Sequence, residues 1–254
     1  MSIWKWFLSW GQPAIFYARS HRVLPWLAVA SVLGLLVGGA WSLWWAPADY
    51  QQADVFRIIY VHVPAAWLSL AIYLGMLGLA LLVFVWEVKL AGWGLRAAAI
   101  LGGVYTFMAL VTGAIWGQPM WGTWWVWDAR LTSELVLLFV YLGIVLVFEV
   151  IQNRLQAMKV AAVLTFVGSV NLPIIHYSVI WWHTLHQPPS IRQFESAMDP
   201  SMLLPLLWMA VVFKLFFLWQ WGLMVRCAIL NQAQTTPWLA RRLLAVSATK
   251  KREG

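Results

Sequence analysis

The chain has 254 residues, of which 63% are hydrophobic and only 10% charged, with 21 Trp and a formal net charge of +8. Soluble domains carry about 25% charged residues, so this composition excludes one and makes an integral membrane protein the expectation. The single Cys227 excludes an internal disulfide framework and a Cys-pair metal site, and no C-x-x-C-H run marks the chain as itself a c-type cytochrome.

The first residues, IWKWFLSW, carry Trp4, Trp6 and Trp10 and suit either the headgroup zone of a bilayer or a loose tail. A transmembrane helix needs about 20 mostly apolar residues to cross a hydrocarbon core of ~30 Å. Six runs qualify: residues 24–45, 59–86, 95–117, 131–150, 159–182 and 202–226. The first is too long for a signal h-region and reads as a retained helix. Breaks fall at 47–54, 87–94, 118–130, 153–159 and 187–200, each with Pro, Gly or charge. No internal repeat or linker divides the chain. The expectation is one all-α integral membrane domain over residues 1–254, with six transmembrane helices and a Trp-rich outer loop at about 118–130. Gly34/Gly38 and Gly113/Gly117 form G-x-x-x-G pairs that allow close helix contact.

Charge orients these spans. Lys5, Arg19, Arg22, Lys89, Arg96, Arg154, Lys159, Arg226, Arg241, Arg242, Lys250, Lys251 and Arg252 fall on one side. Only Arg57, Arg130 and Arg192 fall on the other. The positive-inside rule makes the crowded side cytoplasmic, with both termini on it.

Candidate functional residues then gather on the outer side. His21 lies among basic residues at the cytoplasmic start of the first run and reads as a solvated group. His62, in IIYVHVPAAW, stands at the outer start of the second run, where Pro64 suits a first helical turn. The segment WGTWWVWD follows the third run and gathers Trp121, Trp124, Trp125 and Trp127 beside Asp128. Indoles serve as an interface anchor, a packed loop core or a platform for a flat ligand. His183 and His186, in WWHTLHQPP, close the fifth run, and His176 lies deeper in it. A lone histidine in such a place is more often an interfacial or packing group. Here His62 and His186 reach the same face from different helices, with the indoles between them in sequence. Two opposed imidazoles and a wall of indoles suit a planar iron macrocycle better than a bare ion. Arg130 has a planar fork suited to a propionate; pairing with Asp128 or Glu134 is the equal alternative. Lys214 sits near the middle of the sixth run, where charge is expensive and functional, paired or snorkelling. The chain has no G-x-x-x-x-G-K-[ST], HExxH or G-x-S-x-G, and so no visible means of hydrolysing ATP.

WGTWWVWDARLTS closely resembles the tryptophan-rich signature of the heme-handling membrane proteins of cytochrome c assembly. YVHVPAAW and NLPIIHYSVIWWHTLHQP resemble the two histidine regions of that family, and the likeness extends over essentially the whole chain. It is strongest to a six-helix member of the family in Gram-negative bacteria. The resemblance implies a multi-pass protein of the bacterial inner membrane that binds heme b at the periplasmic face. His62 and His186 would be its axial ligands, with Trp121, Gly122, Trp124, Trp125, Trp127 and Asp128 as platform and Arg130 toward a propionate. His183 keeps a second pairing, His62/His183, open. The implied partners are a periplasmic heme chaperone, the ATPase and permease subunits of an ABC transporter, and a small single-span membrane subunit, with no nucleic acid. The role is handling and delivery of heme, with no catalytic residue assigned and assistance to covalent heme attachment on the chaperone left open. The alternative is a b-type cytochrome subunit of a quinone-linked electron-transfer complex, holding heme deep in the membrane through His176. A permease for a polar solute fits less well, because charge is scarce inside the spans.

Overall fold

The computed structural model describes residues 11–182, 184, 186, 191–192, 195–196, 198–235, 237, 240–241 and 244. Six helical stretches are long and apolar enough to cross a membrane: Pro13–Trp45, Asp54–Trp86, Lys89–Trp121, Ala129–Val150, Arg154–Trp181 and Pro200–Gln234. The fold is all-α, as expected. Between the fifth and sixth stretches lies a two-residue antiparallel pair, Ile191–Arg192 with Glu195–Ser196.

Most spans outrun the apolar stretches that announce them. A helix of 33 residues is about 50 Å long at 1.5 Å per residue, well beyond the hydrocarbon core. The first span begins at Pro13, ahead of residue 24, and ends in a π-helical turn, Trp41–Trp45. Arg57 fastens that end by donating from Nη1 to the Ser42 and Ala46 carbonyls at 2.7 and 2.8 Å. The second span starts with a 3-10 turn, Asp54–Ile58, and runs through Pro64. Pro64 therefore lies inside the helix, past the first turn expected for it. Only Glu87 and Val88 separate the second span from the third, with Glu87 in the left-handed region at φ 53°. The break expected at 87–94 is thus a two-residue reversal. The third span continues through Pro119 to Trp121, which places Trp121 on helix rather than on loop. The fifth is two helices, Arg154–Gly168 and Asn171–Trp181, joined at Ser169 and Val170.

The second and third spans form the central hairpin. The fourth packs on the third, the fifth on the second and fourth, and the sixth on the first three. The first span leans chiefly on the sixth, and its G-x-x-x-G pair makes that approach possible. A Cβ on Gly34 would lie 2.7 Å from Val212 Cγ2, and one on Gly38 2.5 Å from Met209 Sδ. Trp208 also donates its indole N–H to the Gly34 carbonyl at 3.0 Å. Polar groups inside the bundle are few and most find a partner, as a medium without water demands, although the buried Ser42 and Tyr60 hydroxyls have none among the described residues. The Ser69 hydroxyl meets Glu134 Oε1 at 2.9 Å, Tyr141 donates to the Ser69 carbonyl, and Tyr73 to that of Thr165. The ion pairs Lys159–Glu87 and Arg96–Glu149 lie at one end of the bundle. Arg226 caps Tyr17 and Ser20 at that same end. His62, Arg57 and the Trp-rich loop lie at the other.

Candidate functional site

His62 extends from the second span to the third, where its Nδ1 lies 3.0 Å from the Ala109 carbonyl and 3.1 Å from Thr112 Oγ1. A carbonyl only accepts, so Nδ1 carries the proton and donates. In the neutral ring, Nε2 then keeps its lone pair free for a metal. Thr112 spends its own hydroxyl proton on the Met108 carbonyl at 2.7 Å, which leaves its oxygen to accept. Gly113 provides the room: a Cβ there would sit 3.0 Å from His62 Cε1. The Gly113/Gly117 pair therefore shapes the site, with Gly117 accommodating Trp121.

His186 faces His62 with ring centres 6.4 Å apart and planes 33° from parallel. With metal–imidazole bonds of about 2 Å and roughly 1 Å from nitrogen to ring centre, two imidazoles on opposite sides of one metal place their centres about 6 Å apart. Trp121 lies beside His186 at 6.2 Å and Trp116 beside His62 at 5.7 Å. Trp116 is anchored by donating to Gln52 Oε1 at 2.8 Å. Among the described residues, no three His, Cys, Asp or Glu side chains cluster as a bare metal ion requires. The donor set is two nitrogens with aromatic neighbours, which fits a planar iron macrocycle as substrate. His183 lies outside the described residues.

The tryptophans divide into two groups. Gly122, at φ 75°, reverses the chain after Trp121; its role is to end the third span, since only glycine adopts that conformation cheaply. Trp125 and Trp127 then pack edge to face at 5.4 Å. They roof an open apolar groove of about 420 Å³ between the third and fourth spans, floored by Phe107, Val111 and Leu138. Residues 107, 111 and 114 lie on the face of the third span opposite Ala109, Thr112 and Gly113. Trp125 and Trp127 are thus on the far side of that helix from His62. Trp124 and Trp127 are largely exposed, 60% and 75%. Asp128 caps the fourth span by accepting from Leu131 N–H at 2.8 Å. Its Oδ2 and the Trp125 Nε1 are both buried without a hydrogen-bond partner among the described residues.

Arg130 pairs with neither Asp128 nor Glu134 among the described residues. It reaches the fifth span instead, with Nε 3.3 Å from Ser178 Oγ and Nη2 3.5 Å from the Ile175 carbonyl. Both contacts are long and neutral, and the carboxylates of Asp128 and Glu134 act on the guanidinium through space without contacting it. His176 is exposed on the outside of the fifth span, against Tyr177, and His21 is exposed as expected. The sequence reading missed Thr112, Trp116, Gln52 and Ser178. Only Trp116 left a signal, five residues before Trp121 in IWGQPMW.

Fold and site together define a polytopic membrane protein that presents two facing imidazoles, flanked by indoles and a guanidinium, at one end of a six-helix bundle. The profile of the heme exporter protein C family matches residues 6–240. The chain is 46% identical over 242 residues to heme exporter protein C of Escherichia coli (strain K12), covering 95% of this chain and 98% of that one. To that of Haemophilus influenzae it is 42% identical over 238 residues, 93% and 97% of the two chains. To that of Bradyrhizobium diazoefficiens it is 49% identical over 207 residues, 81% and 78%. The chain belongs to the heme exporter protein C family and is a multi-pass protein of the bacterial inner membrane.

Proposed function

We propose that this chain, as a heme-handling component of cytochrome c biogenesis, holds heme b between His62 and His186 at the periplasmic face. It delivers that heme to a periplasmic chaperone, working beside an ABC transporter ATPase, its permease and a small single-span subunit. The observation that carries the reading is the facing imidazole pair, 6.4 Å between ring centres, with Nε2 of His62 freed by the bond from Nδ1 to the Ala109 carbonyl. Trp121 and Trp116 supply apolar faces beside the rings, and Arg130 a cation for a propionate. Asp128 caps the fourth span with one oxygen buried, while Trp125 and Trp127 lie on the other side of the third span, lining the groove there. That position suits contact with the chaperone better than a porphyrin floor. His176 points away from the bundle, which speaks against a deep, permanently held heme.

Two imidazoles on one iron give a six-coordinate, low-spin spectrum. His62→Gly and His186→Gly should each shift the purified protein toward a five-coordinate form, and added imidazole should restore the first spectrum. If His176→Gly abolishes the spectrum while His62→Gly leaves it unchanged, heme lies deep and the b-type cytochrome is the better reading.

A further inference from the structure

Lys214 lies near the middle of the sixth span. Twelve residues, about 18 Å of helix, separate it from Arg226, which is fixed to Tyr17 and Ser20 at the basic end. Fourteen residues, about 21 Å, separate it from Pro200 at the other end. A lysine stem snorkels over a few carbons' length and covers neither distance. Charges at such depth face the bundle interior or a watery cavity, or pair with one another. Lys214 does none of these. Its side chain is exposed, and it forms no ion pair or hydrogen bond with any described residue.

The surface around it has a regular form. Leu204, Leu207, Val211 and Leu218 are 53%, 41%, 55% and 44% exposed. With Lys214 they follow one another at alternating steps of three and four residues, the spacing of a helix–helix seam. The opposite face, with Leu206, Met209, Val212 and Phe213, is buried against the first three spans.

We propose that this stripe is the docking surface for one transmembrane helix of a partner subunit, carrying an Asp or Glu at mid-bilayer depth that pairs with Lys214. Only a helix satisfies its own backbone against lipid, and a carboxylate neutralises the ammonium where no water can. A single polar contact in an otherwise apolar seam also fixes the register of the two helices. A second copy of this chain is a poor occupant, because a two-fold contact on this stripe sets Lys214 at the depth of its counterpart.

The test uses the full complex in native membranes. A photo-crosslinking amino acid at Val211 and, separately, at Leu218 should capture the same partner helix. Mass spectrometry should place Asp or Glu inside its apolar segment. Lys214→Glu should lower crosslink yield and partner recovery about tenfold, and exchanging the partner's carboxylate for Lys should restore both. Lys214→Leu, which places an apolar side chain in lipid and preserves insertion, should lose recovery as well, and it decides the matter if Lys214→Glu fails to accumulate. Full recovery with Lys214→Leu overturns the proposal. So does a captured helix without an intramembrane carboxylate, or capture only of lipid or of a second copy.

Discussion

Gly113 makes a sharper probe of the histidine pair than either histidine, because its effect on the helix and its effect on the site have opposite signs. Replacing a helical Gly with Ala stabilises a helix by about 1 kcal/mol. The added Cβ, however, would stand 3.0 Å from His62 Cε1, so the imidazole must turn away. Gly113→Ala should therefore leave protein levels unchanged or raised, while the visible spectrum of bound heme moves toward five coordination. Thr112→Val removes one acceptor but leaves the Ala109 carbonyl, and it should shift the same spectrum less. Reversal of that order would place the burden on Thr112. Glu134 offers a second residue-scale test. The Ser69 hydroxyl has one proton and two acceptors within reach, the Ala66 carbonyl at 2.8 Å and Glu134 Oε1 at 2.9 Å. Gln can donate an amide N–H to that oxygen and Leu cannot. Glu134→Gln should be tolerated, while Glu134→Leu should lower the thermal midpoint of the detergent-solubilised protein.

At the scale of elements, the loop between the third and fourth spans separates two jobs that the sequence groups together. WGTWWVWD reads as one platform because its indoles adjoin in sequence. Gly122 reverses the chain within it, so Trp121 stays with His186 while Trp125 and Trp127 go to the groove. A reversal inside a motif cannot be read from composition. Trp125→Ala with Trp127→Ala should weaken delivery to the chaperone while the heme spectrum and protein level hold. Loss of the protein in step with activity would make the pair a membrane anchor. The histidines were legible because His62 and His186 fall at the same end of two spans. Thr112 was not, since its contact joins residues 50 positions apart and leaves no local pattern.

For the molecule as a whole, six spans were legible because the count rests on runs of apolar residues, which lipid enforces. Their ends were not. The helices continue through Pro13, Trp121 and Gln234 into zones where indoles and charges are as welcome as apolar groups, and hydropathy no longer marks them. The break of the fifth span at Ser169 and Val170 was hidden for another reason, since it falls inside an apolar run, and hydropathy marks contact with lipid rather than continuity of a helix. Charge predicts the orientation, and the basic cluster around Arg96, Lys159 and Arg226 lies opposite His62. Reporter fusions after Arg154 and Gly254 should read cytoplasm, and fusions within 121–130 should read periplasm. The opposite result would turn the histidine pair toward the wrong compartment and remove the delivery model.

The two-residue reversal at Glu87 and Val88 also bears on the order in which the molecule is made. It lets residues 59–121 enter the bilayer as one hairpin, and every contact that sets the tautomer of His62 lies within that hairpin. At a synthesis rate of ~5–20 residues per second, His186 leaves the ribosome roughly 6–25 s after His62. For that interval the nascent chain holds one prepared imidazole without its counterpart. His186 comes last, and the facing pair forms only when the fifth span is in place.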